Sequence, residues 1–199
     1  GLGLIGGGYG DPDWIETAFR DAGNARVGCG FITWKMAERP ELLTQALAHA
    51  PAALFLSFGD PRPFAAEIAA ASVPLICQVQ TLDHAREALE AGTQVIVAQG
   101  SEAGGHGARR ATMTLVPEVA DLLVREAPEV LLLAAGGIAD GRGLAAALML
   151  GADGVLMGTR FWASREALVP DAIRDAGVAA TGDQTLRSSL PDIARQLAW

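Results

Sequence analysis

The residues best suited to chemistry lie together in Ala98-Gln99-Gly100-Ser101-Glu102-Ala103-Gly104-Gly105-His106-Gly107. His106 is the one group in this stretch that exchanges a proton near neutral pH. The glycines around it can aim backbone N–H groups at an anion, or lie flat under a planar ring. A solvated loop histidine is the plain alternative. Position favours function: the loop leaves the apolar run Val95–Val97, and barrels of alternating strands and helices carry their chemistry in loops at the C-terminal ends of strands. Two amides extend the set. Gln78 ends the run Leu75-Ile76-Cys77-Gln78-Val79, and Gln99 ends the next. An amide donates and accepts, which suits the edge of a heteroaromatic ring and equally suits a loop hydrogen bond.

Further along, Ala134-Ala135-Gly136-Gly137-Ile138 leads into Asp140-Gly141-Arg142-Gly143, and Met157-Gly158-Thr159-Arg160 follows. Glycine loops after two successive apolar runs can hold a phosphate through backbone N–H groups and a helix N-terminus. Taken singly, Gly136-Gly137 reads as an ordinary turn and Asp140 as a helix N-cap. Arg160 suits a phosphate or a surface ion pair equally.

Other candidates carry less. His49 falls in the last turn of a helix, where a partial cation suits the dipole, and His84 in a first turn on the helix layer. With three histidines so dispersed and no cysteine nearby, no metal site is expected. Gly1-Leu2-Gly3-Leu4-Ile5-Gly6 has the letters of a dinucleotide fingerprint, but no strand precedes it and no helix opens on its last glycine, so it is rejected as one. Gly6–Gly8 instead read as backbone that a ligand can approach closely. There is no Walker A loop and no G-x-S-x-G elbow. Trp14, Trp34, Trp162 and Trp199 share no spacing and read as packing.

The elements that must position these residues follow from the pattern of apolar runs. Leu2–Ile5, Ala25–Ile32, Ala52–Phe58, Pro74–Val79, Gln94–Ala98, Val130–Ala135 and Gly154–Gly158 are near-continuously apolar, as parallel strands covered on both faces are. Between them, Asp13–Ala22, Pro40–His49, Pro63–Ala71, Leu82–Ala91, Val116–Glu126 and Asp140–Leu150 show helical spacing, several closing on Ala-Gly or Leu-Gly. Strand–helix alternation predicts an α/β fold around a parallel sheet. The economical reading is a TIM (β/α)8 barrel of which this chain carries seven of the eight βα units. Residues 1–199 then form a single domain lacking the first strand and helix, since a full barrel takes about 250 residues. A seven-stranded, open, doubly wound sheet is the competitor.

Composition narrows the function classes. Half of the 199 residues are hydrophobic and 19% are charged, too apolar a mixture for disorder. No apolar run reaches the length of a membrane span, and no basic stretch marks a signal peptide. A net charge of −8 argues against a nucleic-acid partner. Cys29 and Cys77 lie inside apolar runs without metal or redox spacing, so a reduced, cytoplasmic protein is expected.

Taken together, Gln99–His106, Ala135–Gly143, Gly151-Ala152-Asp153-Gly154 and Met157-Gly158-Thr159-Arg160-Phe161 resemble the nitronate monooxygenases, formerly called 2-nitropropane dioxygenases. The likeness runs from Gly1–Gly8 to Asp192-Ile193-Ala194-Arg195. It implies a TIM barrel that holds FMN without covalent attachment and oxidises small nitroalkanes or nitronates with O2 to a carbonyl compound and nitrite. At the matching positions it implies His106 as catalytic base, and Gln78, Gln99, Gly104, Gly136, Gly137, Met157, Gly158 and Thr159 as FMN-binding residues. Two departures stand out: the family begins with a strand carrying a Pro-Met pair, which would precede Gly1, and it continues past Trp199, so the resemblance implies that residues 1–199 are a single FMN-binding barrel domain truncated at both ends. Two alternatives are carried forward. One is an FMN-dependent enoyl-ACP reductase of the same superfamily, which shares a Glu-Ala-Gly-Gly-His type of loop and would consume NAD(P)H. The other is a non-catalytic flavin- or phosphate-binding remnant.

Overall fold

A strand buried on both faces needs apolar side chains on both, and seven runs of the chain meet that condition. In the computed structural model, which describes residues 1–195, they become β1 (Gly3–Gly6), β2 (Val27–Ile32), β3 (Leu54–Ser57), β4 (Leu75–Val79), β5 (Val95–Gln99), β6 (Leu131–Ala135) and β7 (Gly154–Leu156). All pairs are parallel, and the sheet order is β1-β2-β3-β4-β5-β6-β7. A doubly wound sheet reverses its strand order at a switch point. Here the order never reverses, so that competitor is removed and the sheet is an arc of a barrel. Among the described residues β1 pairs with β2 alone and β7 with β6 alone, which leaves the arc open.

The crossovers run through α1 (Pro12–Ala22), α2 (Thr33–Glu38), α3 (Glu41–Ala48), α4 (Arg62–Ala70), α5 (Leu82–Glu90), α6 (Thr112–Glu126) and α7 (Gly141–Met149), and α8 (Thr159–Trp162), α9 (Asp171–Ala179) and α10 (Leu190–Ala194) follow β7. Strand side chains alternate between two cores. One row, including Leu54, Leu56, Cys77, Ile96 and Leu132, packs outward on the helices with Ile15, Ile68 and Leu115. The other, with Ile76, Val97 and Ala135 at its centre, faces the inside of the arc. Each fully buried aliphatic side chain contributes about 1.5–3 kcal/mol of transfer free energy, so the outer core binds the helix layer to the sheet.

Helix starts follow their caps. Asp11 accepts from the N–H groups of Asp13 and Trp14 with Pro12 at the first position, and Thr81 accepts from His84 N. Asp140 accepts from Arg142 N and Gly143 N, as its N-cap reading expected. Helix α6 departs from expectation. It begins at Thr112 rather than Val116, with Pro117 inside it, and the preceding Ala111 has no side chain to cap it. The cap comes from elsewhere, as described below. Helices α2, α8 and α10 are too short to show a period in sequence. Of the tryptophans read as packing, Trp14 is 46% and Trp162 39% exposed, because α1 and α8 turn those positions outward. Trp199 lies outside the described residues.

Candidate active site

The C-terminal ends of β4 and β5 place three amides on one wall. Residues of equal parity share a face, so Gln78 and Gln80 continue the row of Ile76, and Gln99 continues that of Val97. All three turn into the arc, above its apolar inner core. Gln99 Oε1 accepts from Gln78 Nε2 at 3.1 Å and from Gln80 Nε2 at 2.9 Å. Gln99 Nε2 in turn donates to the backbone oxygen of His106 at 3.0 Å. Gln99 and Gln80 are 7% and 3% exposed. Their bonds therefore replace water, and orphaning one end would cost about 1–3 kcal/mol. A carbonyl oxygen has two lone pairs. Both of those on Gln99 are engaged, so toward a ligand this side chain offers only its second N–H.

His106 is half-buried at the centre of this mouth. Its Nδ1 lies 3.0 Å from Oδ1 of Asp192 in α10, and the ring of Phe58 stands edge-on to it, centroids 6.2 Å apart at 86°. The near side of the same loop is tied by Arg187, whose Nη1 donates to Ser101 O at 2.5 Å. The loop from Ser101 to His106 is thus held from the sheet by Gln99 and from the far end of the chain by Arg187 and Asp192.

Beneath it sits the missing cap of α6. The Glu102 carboxylate accepts from Thr112 N at 2.9 Å and from Thr112 Oγ1 at 2.9 Å. Burial pushes the Glu102 pKa up, but the hydrogen bonds from Thr112 outweigh it and hold the group below the ordinary carboxylate value. The glycines of the motif make room for this joint. A Cβ at Gly100 would fall 2.1 Å from Thr112 Oγ1 and 2.3 Å from Thr112 N. Gly136, at φ +114°, would press its Cβ to 2.8 Å from the same hydroxyl and 3.0 Å from Ala103 N. The loops after β5 and β6 consequently pack as one piece.

The outer corner of this piece meets α8. A Cβ at Gly104 would touch Thr159 Oγ1 at 3.4 Å, and among the described residues nothing lies within 4 Å of one at Gly105 or Gly158. These glycines border open space, a shallow cradle suited to a planar or phosphorylated ligand. Helix α8 starts after Gly158 with no side-chain cap, so its first N–H groups face outward. Helix α7 differs: its N-terminus is already closed by the Asp140 carboxylate, which would repel an anion. Thr159, at the start of α8, therefore borders Gly104 at a helix end left open, whereas Gly137 faces Glu102. Met157 is half-buried at the end of β7. Loops that are tight where they join and bare where they face the mouth leave room for a planar, phosphorylated cofactor such as a flavin.

The structure brings Gln78, Gln99 and His106 into one hydrogen-bonded set, and Gly104 into reach of Thr159. Arg160 is exposed. His49 lies at the other end of α3, stacked on Phe19 with centroids 4.4 Å apart and 3.1 Å from Glu16, a structural role. His84 lines, with Gln78 and Gln80, a cavity of about 20 Å³, room for one water and not for a ring. Gly1–Gly6 belongs to the approach and body of β1, which agrees with its rejection as a nucleotide loop. Among the described residues no group of three His, Cys, Asp or Glu side chains could hold a metal, and no helix is long and apolar enough to cross a membrane. Sequence reasoning missed Gln80, Glu102, Phe58, Arg187 and Asp192. Parity with Gln78 could have found Gln80; no local signal points to Asp192.

The geometry has counterparts in known proteins. Residues 35–198 match the family described as nitronate monooxygenase. A nitronate monooxygenase of Metarhizium robertsii is 41% identical over 180 residues, covering 82% of this chain and 49% of the relative. One from Neurospora crassa is 41% identical over 167 residues, covering 73% and 44%. The chain therefore spans about half the length of these relatives. Among solved structures, FabK from Thermotoga maritima superimposes with a TM-score of 0.83 at 31% identity, over 95% of this chain and 60% of that one. A nitroalkane oxidase from Streptomyces ansochromogenes gives 0.74 at 25% identity, over 88% and 62%. A barrel arc with its histidine loop and two glycine turns at the strand ends, and a family match over most of its length, have one common explanation: the chain belongs to the nitronate monooxygenase family.

Proposed function

We propose that this chain forms the cofactor-binding mouth of an FMN-dependent oxidoreductase that converts nitronates, and the nitroalkanes they derive from, with O2 into carbonyl compounds and nitrite. The single observation that carries the reading is the setting of His106. A proton-exchanging ring stands in a glycine bed, fixed through its backbone by Gln99 and through Nδ1 by Asp192, at the end of strands whose exits are otherwise amides and glycines. FMN, when bound, would supply an electron acceptor that passes its electrons on to O2. Gly158 and Thr159 would hold the phosphate by backbone N–H groups, with Gly104 giving it close approach and Gly136 and Gly137 letting the loop after β6 pack against the histidine loop. Gln78 and Gln99 would meet the ring edge, and Met157 would pack beside it. His106 would take the α-proton of a neutral nitroalkane, leaving the anion that is the electron-rich donor.

A second reading is favoured by one observation, the higher TM-score and identity to FabK than to the nitroalkane oxidase. We test the two together. Purified protein loaded with FMN is given a nitronate under air, with oxygen uptake and nitrite measured, and separately NADH with a crotonyl thioester. Nitrite formation without NADH supports the first reading. NADH oxidation coupled to thioester reduction, with no nitrite, replaces it with an enoyl reductase. Binding of FMN with neither turnover leaves a flavin-binding remnant.

A further inference from the structure

We propose that Asp192 is a positioning residue that holds the His106 imidazole in its Nδ1–H tautomer, which makes Nε2 the basic nitrogen of the ring. The proposal deepens the reading of His106 as a base and rests on it for its catalytic meaning. A neutral imidazole has one donor and one acceptor nitrogen, and the partner of one decides the character of the other. An ionised carboxylate only accepts, so the 3.0 Å contact between Nδ1 and Asp192 Oδ1 requires the proton on Nδ1. The pair is sheltered, the His106 and Asp192 side chains being 24% and 16% exposed, so the bond is not lost to competing water.

Three further contacts make the arrangement specific. Arg187 ties the segment leading into α10 to Ser101 O. Gln99 ties the backbone of His106 to the sheet. The Phe58 edge borders the ring. The loop and the segment leading into α10 are thereby held against each other by a contact separate from the His106–Asp192 pair, and a ring turned over about χ2 would leave the sheltered carboxylate without its donor. Among the described residues the Asp192 side chain pairs with His106. It acts through His106, as a carboxylate orients the histidine of a hydrolytic triad.

The test needs neither flavin nor substrate. The full chain is labelled with ¹⁵N-histidine, and long-range ¹H–¹⁵N correlations are recorded above the imidazole titration, the His106 signals being assigned by their loss in His106→Asn. The expected wild-type spectrum shows His106 with a protonated Nδ1 and an unprotonated Nε2. Asp192→Asn keeps this pattern, because the amide oxygen accepts the same bond. Asp192→Ala moves the proton to Nε2. A wild-type spectrum with the proton on Nε2, or an Asp192→Ala spectrum like the wild type, overturns the proposal. The wild-type spectrum alone can do so, which covers the case of a variant that fails to fold. Failure of the base reading would appear elsewhere, as undiminished turnover of neutral nitroalkane by His106→Asn, and would leave these spectra unchanged.

Discussion

Glu102 and Thr112 are ten residues apart and close the loop after β5 onto α6, the carboxylate taking both the Thr112 N–H and its hydroxyl at 2.9 Å. The acidic residue of the histidine loop is therefore a remote helix cap. It fixes the platform from which His106 projects.

Loss of that cap has an expected cost and an expected pH dependence. Glu102→Ala should lower stability by about 0.5–2 kcal/mol at neutral pH, the usual worth of an N-cap. The folded-state pKa of Glu102 lies below its ordinary value of 4.5. Its contribution is thus complete above the unfolded pKa and is lost as pH falls through the lower folded one. Thermal melts of wild type and variant should differ at pH 7 and converge as the solution is taken below the ordinary carboxylate range. A difference that stays constant with pH would assign the stabilisation to something other than the ionised cap.

If His106 is the proposed base, replacing it should separate proton removal from electron transfer. A neutral nitroalkane needs a base, whereas a preformed nitronate has already lost its proton. His106→Asn should slow turnover of the neutral form by about 10²–10⁴-fold and the nitronate far less. Oxygen uptake with both substrate forms, at matched flavin content, gives the ratio. Equal losses would make the ring a binding group for the anion.

Two glycines of one loop should fail for different reasons. Gly100→Ala drives a methyl into Thr112, at 2.1 Å from Oγ1 and 2.3 Å from the backbone nitrogen, so the fold should lose about 1–3 kcal/mol as for other overpacked sites. Gly104→Ala meets only Thr159 Oγ1, at an ordinary 3.4 Å. That variant should melt near the wild-type temperature yet bind FMN more weakly, since its methyl stands on the cradle. Melting curves and flavin fluorescence titrations on the pair measure both effects. Wild-type FMN affinity in Gly104→Ala would move the cofactor off this surface.

The cysteines should be silent. Burial pushes the Cys29 thiol up to about 12 and the Cys77 thiol up to about 11. Thiolate is the reactive form, so neither should react with a disulfide reagent at pH 8 until the protein unfolds. Because both folded pKa values are raised, the stability the thiols contribute is present below their ordinary value of 9.0 and is lost as pH rises toward 11–12. A thiol that titrates rapidly in the native protein would contradict the packing of β2 or β4.

What was legible in the sequence was whatever the local chain itself must satisfy. A parallel strand covered on both faces has to be apolar along its length, which made the central strands legible, and the edge strands β1 and β7 keep the same apolar pattern although they are only partly covered. Loops that let backbone approach a ligand need glycine, which exposed the stretches at Gly104, Gly136 and Gly158 and, between them, His106. Gln80 was within reach of the same logic, since it repeats Gln78 at the strand period, but it lies one residue beyond the end of β4. The tertiary structure alone decided the rest. The start of α6 depends on a carboxylate in the preceding loop, not on its neighbour Ala111. The surroundings of His106 depend on Asp192, which meets its ring, and on Arg187, which meets Ser101 of the same loop, and both do so only when α10 lies against that loop. Contacts of that kind leave no period or motif in either segment, because each side chain answers to a partner far along the chain and to nothing beside it.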